Sequence, residues 1–136
     1  MKKLLLPFAF SVLSTPVFAD TECYTAHREV MAVLVFDNGP GGLDAVEMSV
    51  FGKQYSDDLY EVEQNPSVTK ISDRDTFLGT YEYTHGHLAV GFKGSDGLQV
   101  DIFADELRKD RFVGTLHLIE PGKERRILPV TCDGSL

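Results

Sequence analysis

Four kinds of residue in this chain could do chemistry: a histidine pair, adjacent carboxylates, a group of tyrosines and two cysteines. The histidines stand at His85-Gly86-His87. Two histidines two apart on a strand share a face and could offer two imidazoles to a metal. Gly86 marks a bend between them, and no cysteine, third histidine or acid stands nearby at a recognisable ligand spacing. The pair therefore reads as a surface turn, and no metal or other cofactor is expected. Asp73-Arg74-Asp75 has the opening of a calcium loop. Leu78 occupies the sixth position, which needs glycine, and Thr84 the twelfth, which needs a bidentate glutamate, so that reading fails. His117, between Leu116 and Leu118, reads as an exposed or half-buried strand residue.

The carboxylate pairs are Asp57/Asp58 and Glu61/Glu63. Paired acids can divide general acid and general base work. In a chain this acidic such pairs also arise by chance. No serine stands in a Gly-x-Ser-x-Gly elbow and Cys23 is committed to a bridge, so no side-chain nucleophile stands out. No catalytic constellation is found and the chain does not read as an enzyme. Asp57, Asp58, Glu61 and Glu63 are instead a candidate patch for a basic partner, and as exposed carboxylates they are expected to contribute little to stability. Tyr55, Tyr60, Tyr81 and Tyr83 lie in the same acidic half. They fit either a contact surface or caps on a small barrel core.

Cys23 and Cys132 sit at opposite ends of a chain that opens like a secretion signal. Met1-Lys2-Lys3 is a positive n-region and Leu4 to Leu13 an apolar run of about ten residues, too short to span a bilayer. Val17-Phe18-Ala19 resembles a cleavage site ahead of Asp20. The expectation is a signal peptide over 1–19 and a single β domain over 20–136 in an oxidising compartment, the bacterial periplasm or beyond it. A lone cysteine pair there is a disulfide. It has no C-x-x-C spacing that would make a reactive thiol.

Loss of the two signal lysines takes the net charge from −8 to −10. From Asp37 to Glu82 there are ten acids against Lys53, Lys70 and Arg74, whereas the chain from Lys93 onward is nearly balanced. An acidic surface disfavours nucleic acid and anionic membranes, and no further apolar stretch is long enough to insert in a membrane. It suits a basic protein or serves solubility.

The elements that must position these residues follow a period of two. Leu88, Val90 and Phe92, then Leu98, Val100 and Ile102, alternate with small or polar residues around Lys93–Gly97. This spacing predicts a hairpin pairing Phe92 with Leu98, Val90 with Val100 and Leu88 with Ile102, with Gly97 as the bulge residue after a type I turn. A second hairpin runs from 112–119 through Glu120-Pro121-Gly122-Lys123 to 125–132, with Pro129 marking an edge or irregularity. Val30–Phe36, Leu43–Phe51, Leu59–Glu63 and Phe77–Tyr83 read as strands, and Asp37–Gly42 and Gln64–Thr76 as loops. Ala104–Asp110 carries the one helical composition, enough for a single turn. The sum is an all-β fold, a small antiparallel barrel or sandwich of about seven to eight strands.

Three function classes fit: a non-catalytic exported binding or accessory domain, an inhibitor of a basic hydrolase such as lysozyme, and a small secreted hydrolase using carboxylates. The inhibitor reading is one of class only, since no Ser-Gly stretch ahead of a lysine is found.

Overall fold

The period-two segments become strands that close on themselves. A computed structural model describes residues 19–36, 43–82 and 86–134. In chain order these form β1 (Ala19–Thr25), β2 (Val30–Phe36), β3 (Leu43–Val50), β4 (Lys53–Ser56), α1 (Leu59–Gln64), β5 (Val68–Glu82), β6 (His87–Gly94), β7 (Gln99–Arg108), β8 (Arg111–Ile119) and β9 (Arg126–Gly134). Each strand pairs with the next, and β1 pairs with β9, so the sheet is a closed barrel rather than a sandwich. Closure removes the free edges that an open sheet exposes to aggregation.

Alternation decides what faces inward. Val30, Ala32 and Leu34 on β2, Val46, Met48 and Val50 on β3, and Leu116 and Leu118 on β8 are all buried. Leu88, Val90, Phe92, Leu98, Val100 and Ile102 are buried together, as their spacing predicts. Their pairing differs from the prediction by two residues: Phe92 faces Val100, Val90 faces Ile102 and Leu88 faces Ala104. The loop is shorter than predicted. Gly94 N–H donates to Leu98 O at 2.8 Å and Gly97 N–H to Gly94 O at 2.9 Å, leaving three residues, Ser95–Gly97, in the turn. Gly97 takes φ +95°, the left-handed bulge position. A shift of two keeps every side chain on its own face, which is why the core survives the error.

Among the described residues the one parallel pair is β4 with β5, where Tyr55 faces Thr69. Parallel neighbours need a crossover, and α1 supplies it. Leu59–Glu63 is therefore helix, not the strand its composition suggests. Asp58 caps it, its side chain accepting from the Tyr60 and Glu61 N–H groups, and Asp58-x-x-Glu61 is the spacing of a capping box. Asn65-Pro66 ends it, because the residue before proline is pushed out of helical conformation.

Two further expectations are corrected. Residues from Val68 onward, read as loop, belong to the long strand β5, and Ala104–Arg108, read as a helical turn, continues β7. In both, pairing partners in the barrel outweigh local composition. Pro129 faces Thr115 on β8, while the β1 ladder ends one residue away at Thr25 and Val130, in keeping with the predicted irregularity.

Cys23 and Cys132 are direct partners across the β1–β9 seam and are joined by a disulfide with Cα atoms 4.0 Å apart. The bridge staples the two strands whose pairing completes the barrel. The segment 1–18, the glycine loop 37–42 and the link through Thr84 and His85 lie outside the described residues. Among the described residues no helix is long and apolar enough to cross a membrane.

Candidate functional site

Large apolar side chains fill the described interior, with Phe92, Phe112, Leu34 and Ile102 all below 2 % exposure. A concavity among the described residues lies at one end of the barrel, where the β3–β4, β6–β7 and β8–β9 turns meet. It encloses about 370 Å³.

The first wall is the β3–β4 hairpin. Val50 pairs with Lys53, leaving the two-residue turn Phe51-Gly52. Both residues have positive φ, +49° and +85°, the pattern of a type I′ turn, which favours asparagine or aspartate before glycine. Phenylalanine there is sterically disfavoured, yet its ring stays 51 % exposed. Its N–H is anchored to Glu29 O at 2.7 Å, and the Arg126 guanidinium lies 4.8 Å from the ring centroid.

Strand β4 leads inward from that turn. Lys53 and Tyr55, two apart, share a face, with Lys53 at the mouth and Tyr55 buried beyond it. Asp96, from the β6–β7 turn, folds its carboxylate back over them. Its Oδ2 accepts from Lys53 Nζ at 2.6 Å and from the Tyr55 hydroxyl at 2.8 Å, and its Oδ1 from the Leu98 N–H at 3.1 Å. Gly94 makes this arrangement possible: a Cβ there would stand 2.7 Å from both Asp96 Oδ1 and Tyr55 Cε2. Glu120 and Pro121, from the β8–β9 turn, complete the lining.

This network keeps the Tyr55 phenol neutral and the Asp96 carboxylate ionised over a wider pH range than either group alone. Burial, then the hydrogen bond to Asp96, pushes the Tyr55 phenol well above its usual range, and Glu120 adds to the effect. Burial also pushes the Asp96 carboxyl up, but donation from Lys53, Tyr55 and the Leu98 N–H outweighs it and holds the group below the usual carboxylate value.

Of the residues singled out from the sequence, Tyr55 lies in this cleft; the carboxylates and histidines lie elsewhere. Asp57, Asp58, Glu61 and Glu63 fall on the crossover that carries α1, beside the exposed side chains of Leu59 and Tyr60. Two of them have structural tasks: Asp57 Oδ1 accepts from Val46 N–H at 3.2 Å, and Asp58 caps α1. His87 Nδ1 is bonded to Asp105 Oδ1 on the exterior, and His117 is half-buried with its ring 5.3 Å from that of Phe103. No group of three potential metal ligands occurs among the described residues. Of the tyrosines, Tyr55 is in the core and Tyr60 is 71 % exposed.

A second polar cluster sits on the outside of the seam. The Tyr24 hydroxyl donates to Asp133 Oδ2 at 2.5 Å, Arg111 Nε donates to Asp133 Oδ1 at 2.7 Å, and Arg28 stacks 4.2 Å over the Tyr24 ring. Its groups satisfy one another across β1, β8 and β9, which suits a brace for the disulfide-linked strands.

Sequence reasoning did not single out Phe51, Lys53, Asp96 or Glu120. The Lys53/Tyr55 spacing and a phenylalanine before a turn glycine were the available signals. No protein-family model, curated protein or solved structure matched the chain in comparison.

Proposed function

We propose that this chain is an exported, non-catalytic binding domain that receives its ligand in the cleft at the turn end of the barrel. The observation that carries the reading is the Lys53–Asp96–Tyr55 network, with its carboxylate held in place by three internal donors. A general acid or base needs a pKa near the working pH. Asp96 is shifted down and Tyr55 up, which favours a preorganised contact surface over a hydrolase. Export to the periplasm accords with the N-terminal signal pattern and with the buried disulfide.

The test is capture of a ligand from periplasmic extract by immobilised protein, against a variant carrying Phe51→Asn and Glu120→Gln. Retention by the native protein alone supports the reading. Equal retention by both, or a hydrolytic activity abolished by a carboxylate substitution outside the cleft, refutes it.

A second reading, inhibition of a basic hydrolase, is favoured by the crossover segment, where exposed Leu59 and Tyr60 stand among Asp58, Glu61 and Glu63. Apolar anchors within like charge suit a basic partner whose association is steered electrostatically. Loss of inhibition on neutralising Glu61 and Glu63, with the cleft intact, would support this reading over the first.

A further inference from the structure

We propose that the ligand of the cleft is an uncharged, hydroxyl-bearing ring, a saccharide unit, held by Lys53 and Glu120 with its apolar face toward Phe51. This inference rests on the reading of the cleft as a binding site and adds the class of molecule bound.

The lining selects by charge. Two carboxylates, Asp96 and Glu120, against the one ammonium of Lys53 oppose an anionic ligand, and because Lys53 is paired with Asp96 only a single excess negative charge is left to draw a cation. Hydrogen-bonding capacity remains for a neutral molecule. An ammonium has three N–H donors, and Asp96 takes one from Lys53. Glu120 also lines the cleft, its Oε2 3.9 Å from Lys123 Nζ, so it retains carboxylate lone pairs to accept from a ligand. A lining that holds both a donor and an acceptor is matched by groups that both give and accept, which is what hydroxyls do. The remaining surface, from Phe51, Val50, Leu98 and Pro121, is apolar. It suits the C–H face of a sugar ring, and the volume of about 370 Å³ falls within the range of small-ligand sites.

Peptides fit less well. Extended peptides are read mainly through backbone hydrogen bonds to a strand edge. Around this cleft that backbone is already committed: Val50 pairs with Lys53, Gly94 N–H donates to Leu98 O, and the Leu98 N–H donates to Asp96.

Phe51 supplies an independent observation. Its left-handed backbone is a conformation that bulky side chains avoid, and half of its ring remains in solvent, so burial does not explain the choice. The Arg126 guanidinium lies against the ring at 4.8 Å, and the same ring lines the cleft, where it would also touch an occupant. Asparagine would satisfy the turn better and would remove the contact.

The experiment is a titration of the ¹⁵N-labelled protein, followed by amide chemical shifts, with methyl glucoside, N-acetylglucosamine and a β-linked disaccharide. A capped neutral dipeptide is run in parallel. The expected result is saturable shifts at Phe51, Lys53, Asp96, Leu98 and Glu120 with at least one saccharide, with Kd on the order of 1 mM for a single ring. Phe51→Asn and Glu120→Gln should each raise that Kd about tenfold or more while leaving the melting temperature nearly unchanged. Shifts at these amides with the dipeptide and with none of the sugars would overturn the saccharide assignment but leave the cleft a binding site. Shifts elsewhere, or none with either class, would overturn both. Unaltered sugar affinity in both variants would also overturn the assignment.

Discussion

Tyr55→Phe isolates the one hydroxyl on which the network turns. The ring is 3 % exposed and remains in place, so the substitution leaves no cavity. What disappears is the 2.8 Å bond to the Asp96 carboxylate. A hydrogen bond to a charged group contributes about 1.5–3 kcal/mol when its loss leaves a buried partner unsatisfied. Asp96 retains Lys53 at 2.6 Å and the Leu98 N–H at 3.1 Å, and its side chain is 28 % exposed, so water can replace the phenol in part. The expected loss is therefore at the lower end, about 1–1.5 kcal/mol. For a domain of this size that is a fall in Tm of about 4–6 °C. Thermal unfolding followed by circular dichroism measures it. In an Asp96→Asn background the same substitution should lose much of its effect, since neighbours in one network are coupled. The pH dependence carries a second signature. Tyr55 has its folded pKa raised above the ordinary 10, so its contribution is complete below about pH 10 and is lost as pH rises through the folded value. Asp96 has its pKa lowered, so its contribution is present above about pH 4 and is lost as pH falls through the folded value. Tyr55→Phe should thus abolish the alkaline loss. An unchanged Tm, or an equal loss in the Asp96→Asn background, would refute the network.

The disulfide closes a loop with a sequence separation of 109, for which chain entropy gives about 4–5 kcal/mol as an upper value. Thiol labelling of denatured, unreduced protein should find no free cysteine, and reduction should lower the denaturation midpoint steeply. Val100→Asp places a carboxylate at a fully buried position facing Leu118 and should cost several kcal/mol. An unchanged Tm would mean that the inward face is misassigned. The four crossover acids should separate into two classes in thermal unfolding. Asp58→Ala should cost about 1 kcal/mol through loss of the α1 cap, whereas Glu61→Gln with Glu63→Gln should leave stability unchanged. If a basic partner binds there, the latter pair should slow its association at low salt only.

Much of the barrel was legible because alternation is a property of the chain itself. Val46, Met48 and Val50, or Leu88, Val90 and Phe92, can bury one face only as strands, and the cysteines at the two ends indicated that the ends meet. The errors arose where a partner element overrules local preference. Residues 59–63 contain valine and tyrosine and read as strand, but the parallel pairing of β4 with β5 demands a crossover there. Ala104–Arg108 has helical composition, but β6 and β8 flank it and most of its residues are paired. The two-residue register error came from counting five loop residues where a Gly94–Leu98 closure leaves three. The cleft was hidden for a related reason. Phe51, Lys53, Asp96 and Glu120 come from three separate turns, and nothing in their spacing relates position 51 to 96 or to 120. Only barrel closure places those turns at one end.

The distribution of well-made and ill-made turns bears on which end is used. The β6–β7 turn carries glycine at its left-handed position, as a stable hairpin should. The β3–β4 turn, of equal importance to the barrel, carries phenylalanine where asparagine would fit. Left-handed geometry costs a residue with a side chain about 1–2 kcal/mol. A guanidinium over an exposed ring returns about 0.5–1 kcal/mol, and partial burial of the ring about as much again. The two sides nearly balance, so stability alone gives no reason to prefer phenylalanine. Strand β4 is meanwhile bonded on both sides, to β3 and β5, and Tyr55 is fixed against Gly94. The floor of the cleft is therefore rigid, while the strained aromatic stands at its mouth. Local rules broken at the rim of a preorganised floor are the pattern expected of a site selected for contact rather than for folding.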